Sequence, residues 1–333
     1  MSDPDVSVVV VSFNVRDLLA QCLDSVSNQY SVFGNQNSVI RRQSPTEPLN
    51  TEHRTLNTEI VVVDNASSDG SAAMVRERFP SIRLIENAEN RGFAAANNQA
   101  FVQAHGRYVW MLNPDTIVRA DALAALVQFM DAHPRAGACG GKLLYADGAL
   151  QHSAFAFPTL AQILLDFYPL HRRLTDSRLN GRYPRNWYAR GEPFQIDHPL
   201  GADLMVRRDT AEQVGWLDDQ FFIYCEEIDW CIRIKRAGWQ IWCVPLAEIV
   251  HYEAQSTRQF RDTMFVELWR ARVRLLEKHY SRAFRWAARQ IVRAGLAKEM
   301  RQARKSGVTQ DELDRRLAAY AEVQSLIRQP SSV

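Results

Sequence analysis

Short β-branched runs alternate with amphipathic helical segments over residues 6–112, and this alternation constrains the fold more than any other feature of the sequence. The first run, Val6–Val11, is apolar throughout, which is typical of a strand buried on both faces of a parallel sheet. The apolar residues that follow recur at helical spacing and predict an amphipathic helix: Val15, Leu18, Leu19, Cys22, Leu23 and Val26.

The same pattern predicts further strands and helices along this half of the chain. The strands are Ile60–Val63, Ile82–Ile85 and Tyr108–Leu112, and the helices are Ala72–Phe79 and Phe93–Ala104. Strands that alternate with helices are joined by right-handed crossovers. The sequence therefore predicts an α/β fold with a doubly wound, mostly parallel, Rossmann-like sheet.

Later segments depart from this alternation of strands and helices. Residues 31–57 are polar, contain two prolines and predict a flexible inserted loop. The stretch from about Gly140 to Leu200 is irregular and rich in aromatic residues and prolines, as expected of a second half that binds another substrate. Helical periodicity returns at Asp209–Val214 and from Cys225, and residues 260–325 are predicted to be almost wholly helical.

The charges are unevenly distributed along the chain. The net charge is +2, but residues 254–305 carry fourteen Lys and Arg against four acids, so this stretch has a net +10 and the remainder about −8. This predicts a neutral-to-acidic body with a basic helical appendage. The appendage could lie on an anionic membrane surface, or it could pack on the body with a solvated basic face. No nucleic-acid motif accompanies the charge, so nucleic acid is not an expected partner.

Cysteine usage and hydropathy indicate where such a chain works. The five cysteines form no CxxC pair, which argues against a zinc cluster or a disulfide framework and fits a reducing compartment. MSDPD leads directly into the first strand without the features of a signal peptide, and no window approaches about 18 uninterrupted apolar residues. We therefore expect a cytoplasmic protein whose membrane contact is at most peripheral, on the inner face of the cell membrane.

Two segments at the predicted carboxyl ends of strands could bind a nucleotide. In VVVDNASSDGS (Val61–Ser71), Asp64 could hydrogen-bond a base or ribose, or it could only shape the turn. In ENRGFAAANNQA (Glu89–Ala100), Arg91 near a helix N-terminus could bind a diphosphate. The alternative for this segment is a glycine turn before a closely packed helix.

Three further segments carry residues typical of metal binding and acid–base chemistry. Asp115 in MLNPDTIV could bind Mg²⁺ or Mn²⁺ together with substrate phosphates, although N-P-D is also a common turn. His251 in IVHYEAQST could complete that site as a neutral imidazole, or it could be structural. In FFIYCEEIDWCIRIKRAGW, Glu226, Glu227 and Asp229 begin a helix behind an apolar run. This arrangement suits a partly desolvated general base, and the alternative is complementation of the helix dipole.

In this order, the segments resemble the bacterial family-2 glycosyltransferases, especially their rhamnosyltransferase-like branch with the GT-A fold. The segments that carry the resemblance, over roughly Ser7–Thr257, are VVVDNASSDGS, NRGFAAANN, LNPD, GADLMVRR, FFIYCEEIDW and IVHYEAQST. The resemblance implies a GT-A catalytic domain at 1–257, with a nucleotide-sugar half at 1–115 and an acceptor half at 116–257. A basic helical extension follows at 258–333.

The resemblance also implies a role for each matching residue. The implied donor-binding residues are Ser12, Asn14, Asp64, Asn65, Arg91, Gly92, Asn97, Asn113 and Asp115. The implied acceptor-side residues are Gly201, Ala202, Asp203 and Asp229. The implied ligands of Mg²⁺ or Mn²⁺ are Asp115 and His251, and the implied catalytic base is Glu227 or Glu226, with Glu227 favoured. Asp229 could instead pair with Arg233 one turn later on the same helix.

Two residues depart from the family pattern. Asn113 stands at the first position of the D-x-D metal motif, which predicts a weaker metal site that fills mainly together with the donor. The base motif is Glu-Glu rather than Glu-Asp, so the carboxylate of Glu227 lies one methylene further from the backbone.

The implied reaction is an inverting single displacement that uses a nucleotide-diphosphate sugar. Rhamnose from dTDP-rhamnose, or a hexose from a UDP-sugar, would pass to a hydroxyl of a cell-surface glycan or lipid-linked intermediate. The alternative is a catalytically inactive nucleotide-sugar or glycan-binding protein with the same fold, which Asn113 suggests. A nucleotidyltransferase or dehydrogenase is a third class, and the latter fits poorly because VSFNVRD rather than GxGxxG follows the first strand. A homodimer is left open.

Overall fold

A computed structural model describes residues 3–30, 56–169, 171–252 and 261–328. Apart from residues 56 and 57, the predicted loop at 31–57 lies outside these ranges, as do residues 253–257 at the end of the His251 segment.

Strands and helices alternate through the first half as the sequence predicts. The strands are β1 Val6–Ser12, β2 Thr58–Asp64, β3 Arg83–Glu86, β4 Tyr108–Leu112, β5 Thr116–Val118, β6 Ala136–Leu144, β7 Leu150–Gln151, β8 Ala154–Phe155, β9 Phe194–Gln195, β10 His198–Pro199, β11 Asp203–Arg207 and β12 Gln240–His251. The helices are α1 Arg16–Ser27, α2 Ser71–Arg78, α3 Phe93–Gln103, α4 Ala122–Ala132, α5 Leu160–Phe167, α6 Arg172–Thr175, α7 Arg185–Ala189, α8 Arg208–Val214, α9 Glu226–Arg236, α10 Arg261–His279, α11 Arg282–Ala303 and α12 Gln310–Arg328. Short 3₁₀ turns occur at Asn28–Tyr30 and Arg178–Asn180.

One mixed sheet organises the described chain, with strands in the order β3-β2-β1-β4-β11-β6-β12-β5. β1 pairs in parallel with β2 and β4, β2 pairs in parallel with β3, and β6 pairs in parallel with β12. β11 is antiparallel to both β4 and β6. The α/β class and the mostly parallel sheet are therefore confirmed.

The reversed strand β11 brings a second chain segment to the carboxyl edge of β4. The Asn113 backbone N–H donates to the Ala202 carbonyl at 3.0 Å. The turn that opens β11 therefore lies beside the turn that follows β4, and the two halves of the chain meet there.

Strand β6 runs into the segment whose sequence pattern is irregular, because three glycines, Gly137, Gly140 and Gly141, interrupt its apolar residues. A Cβ at Gly140 would lie 2.7 Å from the Asp203 carbonyl oxygen, and one at Gly141 would lie 2.4 Å from the Ala247 carbonyl oxygen. These positions admit only glycine because neighbouring backbones approach so closely. Their lack of side chains hides the strand from a pattern based on hydrophobic residues.

The C-terminal helices pack on the body. α11 packs against α5, where a Cβ at Gly295 would lie 2.2 Å from the Phe167 ring. Ala271 and Leu275 of α10 share an apolar cluster with Phe221. This favours the packed interpretation of the basic appendage, in which residues 261–328 pack against the rest of the chain. Within the described ranges, no helix has the length and apolarity needed to cross a membrane.

Candidate active site

A cleft of about 470 Å³ opens at the carboxyl edge of β1, β2 and β4. The segments singled out in the sequence converge on it from both halves of the chain. Its polar lining consists of Asn65, Asn90, Asn113, Asp115, Tyr224, Glu226, Glu227 and His251, and Gly92, Gly201 and Ala202 contribute backbone.

The turn after β2 is held by hydrogen bonds yet leaves acceptors unused. Asp64 Oδ2 accepts from the Ser67 backbone N–H at 3.0 Å, and Asn14 Oδ1 accepts from the Ser68 N–H at 2.8 Å. Asp64 Oδ1 and Ser12 Oγ are buried without a hydrogen-bond partner among the described residues. Because a buried polar atom without a partner is costly, a bound ligand is a natural partner for Asp64.

Asn65 organises the neighbouring loop. Its side-chain amide donates to Asn90 Oδ1 at 2.8 Å, and its Oδ1 accepts from Asn87 Nδ2 at 3.0 Å and from the Arg91 N–H at 3.1 Å. These bonds set the position of Gly92 at the cleft wall. The Arg91 side chain is exposed and does not line the cleft, so the structure does not bring it to the predicted site.

Asn97 lies beneath this loop and does not line the cleft. Its side-chain amide donates to the Phe93 carbonyl at 2.8 Å, and its Oδ1 is buried without a partner in the described structure.

Asp115 and His251 meet although they are far apart in the sequence. Antiparallel pairing of β12 with β5 sets His251 opposite Thr116. His251 Nε2 lies 3.4 Å from Asp115 Oδ1, and its Nδ1 lies 3.1 Å from Gln151 Oε1. When Gln151 Oε1 accepts from the Nδ1–H, the lone pair of Nε2 faces Asp115. Gln151 has no distinguishing signal in the sequence.

This pair fits a divalent cation that takes its other ligands from a substrate. A carboxylate oxygen and an imidazole nitrogen are suitable donors for Mn²⁺ or Mg²⁺. In the part of the chain that the structure describes, no three His, Cys, Asp or Glu side chains form a metal-binding group. Diphosphate oxygens and water would therefore supply the remaining ligands.

Glu226 and Glu227 begin α9 and line the same cleft. The turn before them has left-handed backbone at two non-glycine residues, Tyr224 (φ 72°) and Cys225 (φ 65°), a conformation found at functional sites. Both glutamates are buried, and the Oε2 atom of each lacks a hydrogen-bond partner among the described residues. A Cβ at Gly201 would lie 3.3 Å from Glu227 Cδ, so this position leaves little room for a side chain.

Burial shifts the protonation of both carboxyls. It raises the pKa of Glu227 to about 7, although backbone N–H groups partly oppose the change. Burial and the adjacent Glu227 raise the pKa of Glu226 well above its usual range. Glu227 can therefore take up a proton near neutral pH, as a general base requires.

Two of the predicted acceptor-side acids lie away from the cleft. Asp203 is buried beneath it, where it accepts from Trp110 Nε1 at 2.7 Å. Burial raises the pKa of Asp203 to about 6 despite that bond and one from the Gly141 N–H. Asp229 is bound on the far side of α9 by Arg233 at 2.9 Å, which is the pair that the helical spacing predicts.

The cleft also has an apolar lining that lies mostly outside the sequence motifs. It consists of Val11, Phe13, Phe93, Pro114, Leu200, Phe222, Ile223 and Met264. Met264 belongs to α10, beyond the predicted boundary of the catalytic domain at residue 257. No local pattern could have identified it, because only tertiary packing brings α10 to the cleft.

The mixed sheet, with its acids and imidazole gathered at one carboxyl edge, places the protein among α/β enzymes of the GT-A type. Residues 7–195, more than half of the chain, match the family described as Glycosyl transferase family 2, and the chain belongs to this family. It is therefore a glycosyltransferase, and the resemblance carried by its motifs is confirmed.

Two relatives and one solved structure illustrate this placement. The chain is 30% identical over 216 residues to N-acetylglucosaminyl-diphospho-decaprenol L-rhamnosyltransferase of Mycobacterium tuberculosis, covering 60% of this chain and 67% of the relative. It is 26% identical over 205 residues to rhamnosyltransferase WbbL of Escherichia coli (strain K12), covering 59% and 66%. The mannosyltransferase PcManGT from Pyrobaculum calidifontis, solved with GDP-Man and Mn²⁺, shares the fold with a TM-score of 0.53 at 18% identity, covering 98% and 86%.

Proposed function

We propose that this glycosyltransferase transfers rhamnose from dTDP-rhamnose, with inversion, onto a hydroxyl of a lipid-linked glycan intermediate. A UDP-hexose is the second candidate donor. The observation that carries the proposal is that Glu226, Glu227, Asp115 and His251 line one cleft. The names of the two rhamnosyltransferase relatives support the sugar, and the decaprenol-linked substrate in one of those names supports the lipid-linked acceptor.

The chain's own residues account for the chemistry as follows. Glu227 in its carboxylate form accepts the proton of the acceptor hydroxyl as that oxygen attacks the sugar. Asn65, which lines the cleft, and Asp64, whose buried Oδ1 lacks a partner among the described residues, hold the nucleoside end of the donor. The apolar lining limits the access of water that would hydrolyse the donor. One base and no covalent intermediate give inversion at the anomeric carbon.

A transfer assay tests this function. Enzyme, Mn²⁺ and a decaprenol- or undecaprenol-diphosphate-linked N-acetylglucosamine acceptor are incubated with dTDP-rhamnose or with UDP-hexoses, and the anomeric configuration of the product is read by NMR. The expected result is a preference for dTDP-rhamnose and an inverted product. Donor binding without transfer or hydrolysis from any donor would instead support the inactive binding protein.

Asp115 and His251 are proposed to hold the divalent cation. When bound, the cation would neutralise the charge that develops on the leaving diphosphate. The Asp115→Asn variant is expected to need at least about tenfold more Mn²⁺ for half-maximal donor binding. Calorimetric donor titrations at stepped Mn²⁺ concentrations measure this, and Asp147→Asn, in an exposed turn, is the control. An unchanged Mn²⁺ requirement in Asp115→Asn would contradict the assignment.

The exposed face of α11 is proposed to rest on an anionic membrane that carries the acceptor. Trp286 is 66% exposed there, and basic residues share its face at helical spacing: Arg282, Arg293, Arg301 and Arg304. In the described structure, no acid lies within ion-pair distance of these four arginines. An exposed indole among unpaired cations suits a bilayer interface.

Vesicle binding checks this surface with the full-length protein. Each Arg→Glu change at 282 or 293 is expected to weaken binding to phosphatidylglycerol vesicles at least about fivefold, since one cation near the surface contributes about 1 kcal/mol. Adding Trp286→Ala to either variant should weaken vesicle binding further. Arg315→Glu on α12, where Arg315 is 65% exposed, is the charge-matched control. Equal binding of wild type and Arg282→Glu would rule out this face.

A further inference from the structure

The C-terminal extension binds, through hydrogen bonds and ion pairs, to α9, the helix that carries the proposed base. Asp229 lies on α9 three residues after Glu226, and its side chain is fully buried. Its Oδ1 accepts from His279 Nε2 at 2.6 Å and from Lys278 Nζ at 2.7 Å, both at the end of α10. Its Oδ2 accepts from Arg233 Nε at 2.9 Å. We call Asp229, Arg233, Lys278 and His279 the clamp.

The clamp also holds the segment that leads into α9. Arg233 donates to the carbonyls of Val214 at 2.7 Å, Gly215 at 2.9 Å and Trp216 at 2.7 Å. Lys278 Nζ lies 2.7 Å from Asp218 Oδ2. The helix, the preceding loop and the end of α10 are therefore fixed to one another through a single buried carboxylate.

The far end of α10 reaches the cleft itself. Met264 lies in the cleft lining, and Ala271 and Leu275 pack with Phe221 and Cys225 in the turn before Glu226. α10 thus contacts the catalytic turn along its length. Removing α10 would expose this turn and leave Asp229 with only Arg233 among the cationic members of the clamp.

Joining two helices through buried charges carries a desolvation cost in free energy. Apolar residues of similar volume usually join them with equal or greater stability, because charges lose solvation on burial. Directional charged bonds instead fix one rotation and one register of α9 relative to α10. A shift of α9 by one residue would turn Glu226 and Glu227 away from the cleft, since successive helical positions lie about 100° apart.

We propose that Asp229 is a positioning residue and that the C-terminal extension, through Lys278 and His279, sets the orientation of Glu226 and Glu227 toward the acceptor. This inference rests on the proposed function of those glutamates. It makes residues 261–279 part of the catalytic machinery.

The clamp also influences the charge around the glutamates. Asp229 lies within one helical turn of Glu226, and Arg233 and Lys278 balance its charge, while His279 Nδ1 accepts from Arg236 at 2.8 Å. Asp115 and His251 line the same cleft as the glutamates, and Arg272 of α10 acts electrostatically on the neighbouring Cys225. Loss of the Asp229 charge leaves an excess of positive charge, which favours the ionised glutamates. Loss of the Lys278 charge has the opposite effect.

Steady-state kinetics as a function of pH tests the proposal. Asp229→Asn is expected to lower kcat about 10- to 100-fold with the donor KM within threefold, because the donor-binding residues lie on other elements. The acid limb of the kcat profile should move to lower pH in Asp229→Asn and to higher pH in Lys278→Gln. Asp229→Glu, which keeps the charge, should leave the limb in place. Glu322→Gln removes an exposed contact of 2.9 Å between Arg270 of α10 and α12 and is the matched control.

These outcomes separate positioning from stability alone. A purely structural role would lower the melting temperature while kcat per folded enzyme and the pH limb stay at wild-type values, and that result overturns the proposal. If Asp229→Asn fails to fold, Lys278→Gln decides, because Lys278 is one-third exposed. Full activity in both Glu226→Gln and Glu227→Gln would overturn the base assignment instead, whatever the clamp variants show.

Discussion

The Glu227→Gln variant is expected to lose about 10²- to 10⁴-fold in kcat while gaining thermal stability. The loss follows because an amide cannot accept the proton of the acceptor hydroxyl. The gain follows because burial disfavours the ionised carboxyl in the folded state, where the pKa of Glu227 is about 7. Single-turnover kinetics and thermal unfolding of the same samples measure both effects.

The sign of the pH dependence makes this prediction specific. A folded-state pKa above the unfolded value means that the folded protein binds more protons between about pH 4.5 and 7. Wild-type stability should therefore fall as pH rises through this window, by on the order of 1–3 kcal/mol. The stability difference between Glu227→Gln and wild type should be large at pH 8 and nearly absent below pH 4.5. Glu212→Gln, at a 60% exposed side chain on α8, is the control and should change neither property.

A comparison with Glu226→Gln identifies which carboxyl is the base. Glu227 lies against Gly201, whose backbone also bonds to its side chain, and Gly201 belongs to the turn beside Asn113. We therefore expect the larger kcat loss in Glu227→Gln. A wild-type kcat in Glu227→Gln, with a large loss in Glu226→Gln, would transfer the role to Glu226.

The sequence allows the first half of the fold to be predicted because its periodicities are local. β1, α1, β2 and α3 each carry a complete apolar pattern, and the structure has them within two residues of the predicted bounds. Local periodicity predicts neither β6 nor the reversed direction of β11. Gly140 and Gly141 carry no side chain to show a pattern, and strand direction depends on how the chain returns to the sheet.

The candidate site likewise contains residues that the sequence predicts and residues that it does not. Asp115, His251, Glu226 and Glu227 gather in one cleft because each lies at or directly beside the end of a strand or helix. Asp229 has the same local context as its neighbours, yet its place on the helix turns it toward α10. Gln151 and Met264 could not be predicted at all, because only long-range packing brings them to the site.

The Gly92→Ala variant is expected to cost several kcal/mol of folding stability and to reduce donor turnover. A Cβ at this position would lie 2.6 Å from the Phe222 carbonyl oxygen and 2.7 Å from Phe222 Cδ2. Gly92 also has a φ of 84° and a ψ of 165°, a conformation essentially limited to glycine that costs a residue with a side chain about 1–3 kcal/mol. Overpacking adds about 1–3 kcal/mol. Chemical denaturation measures the sum.

Activity should fall because Gly92 lies where the loop that we propose binds the donor contacts the turn before Glu226. The Phe93 N–H donates to the same Phe222 carbonyl at 2.6 Å, so an added methyl group must push the loop and the turn apart. Gly148→Ala is a matched control, since Gly148 has a φ of 81° but its Cβ would meet nothing within 4 Å. Gly148→Ala should lower the folding stability only by the backbone contribution and should leave kcat unchanged. Equal stability losses in the two variants would show that this contact does not join the two halves of the site.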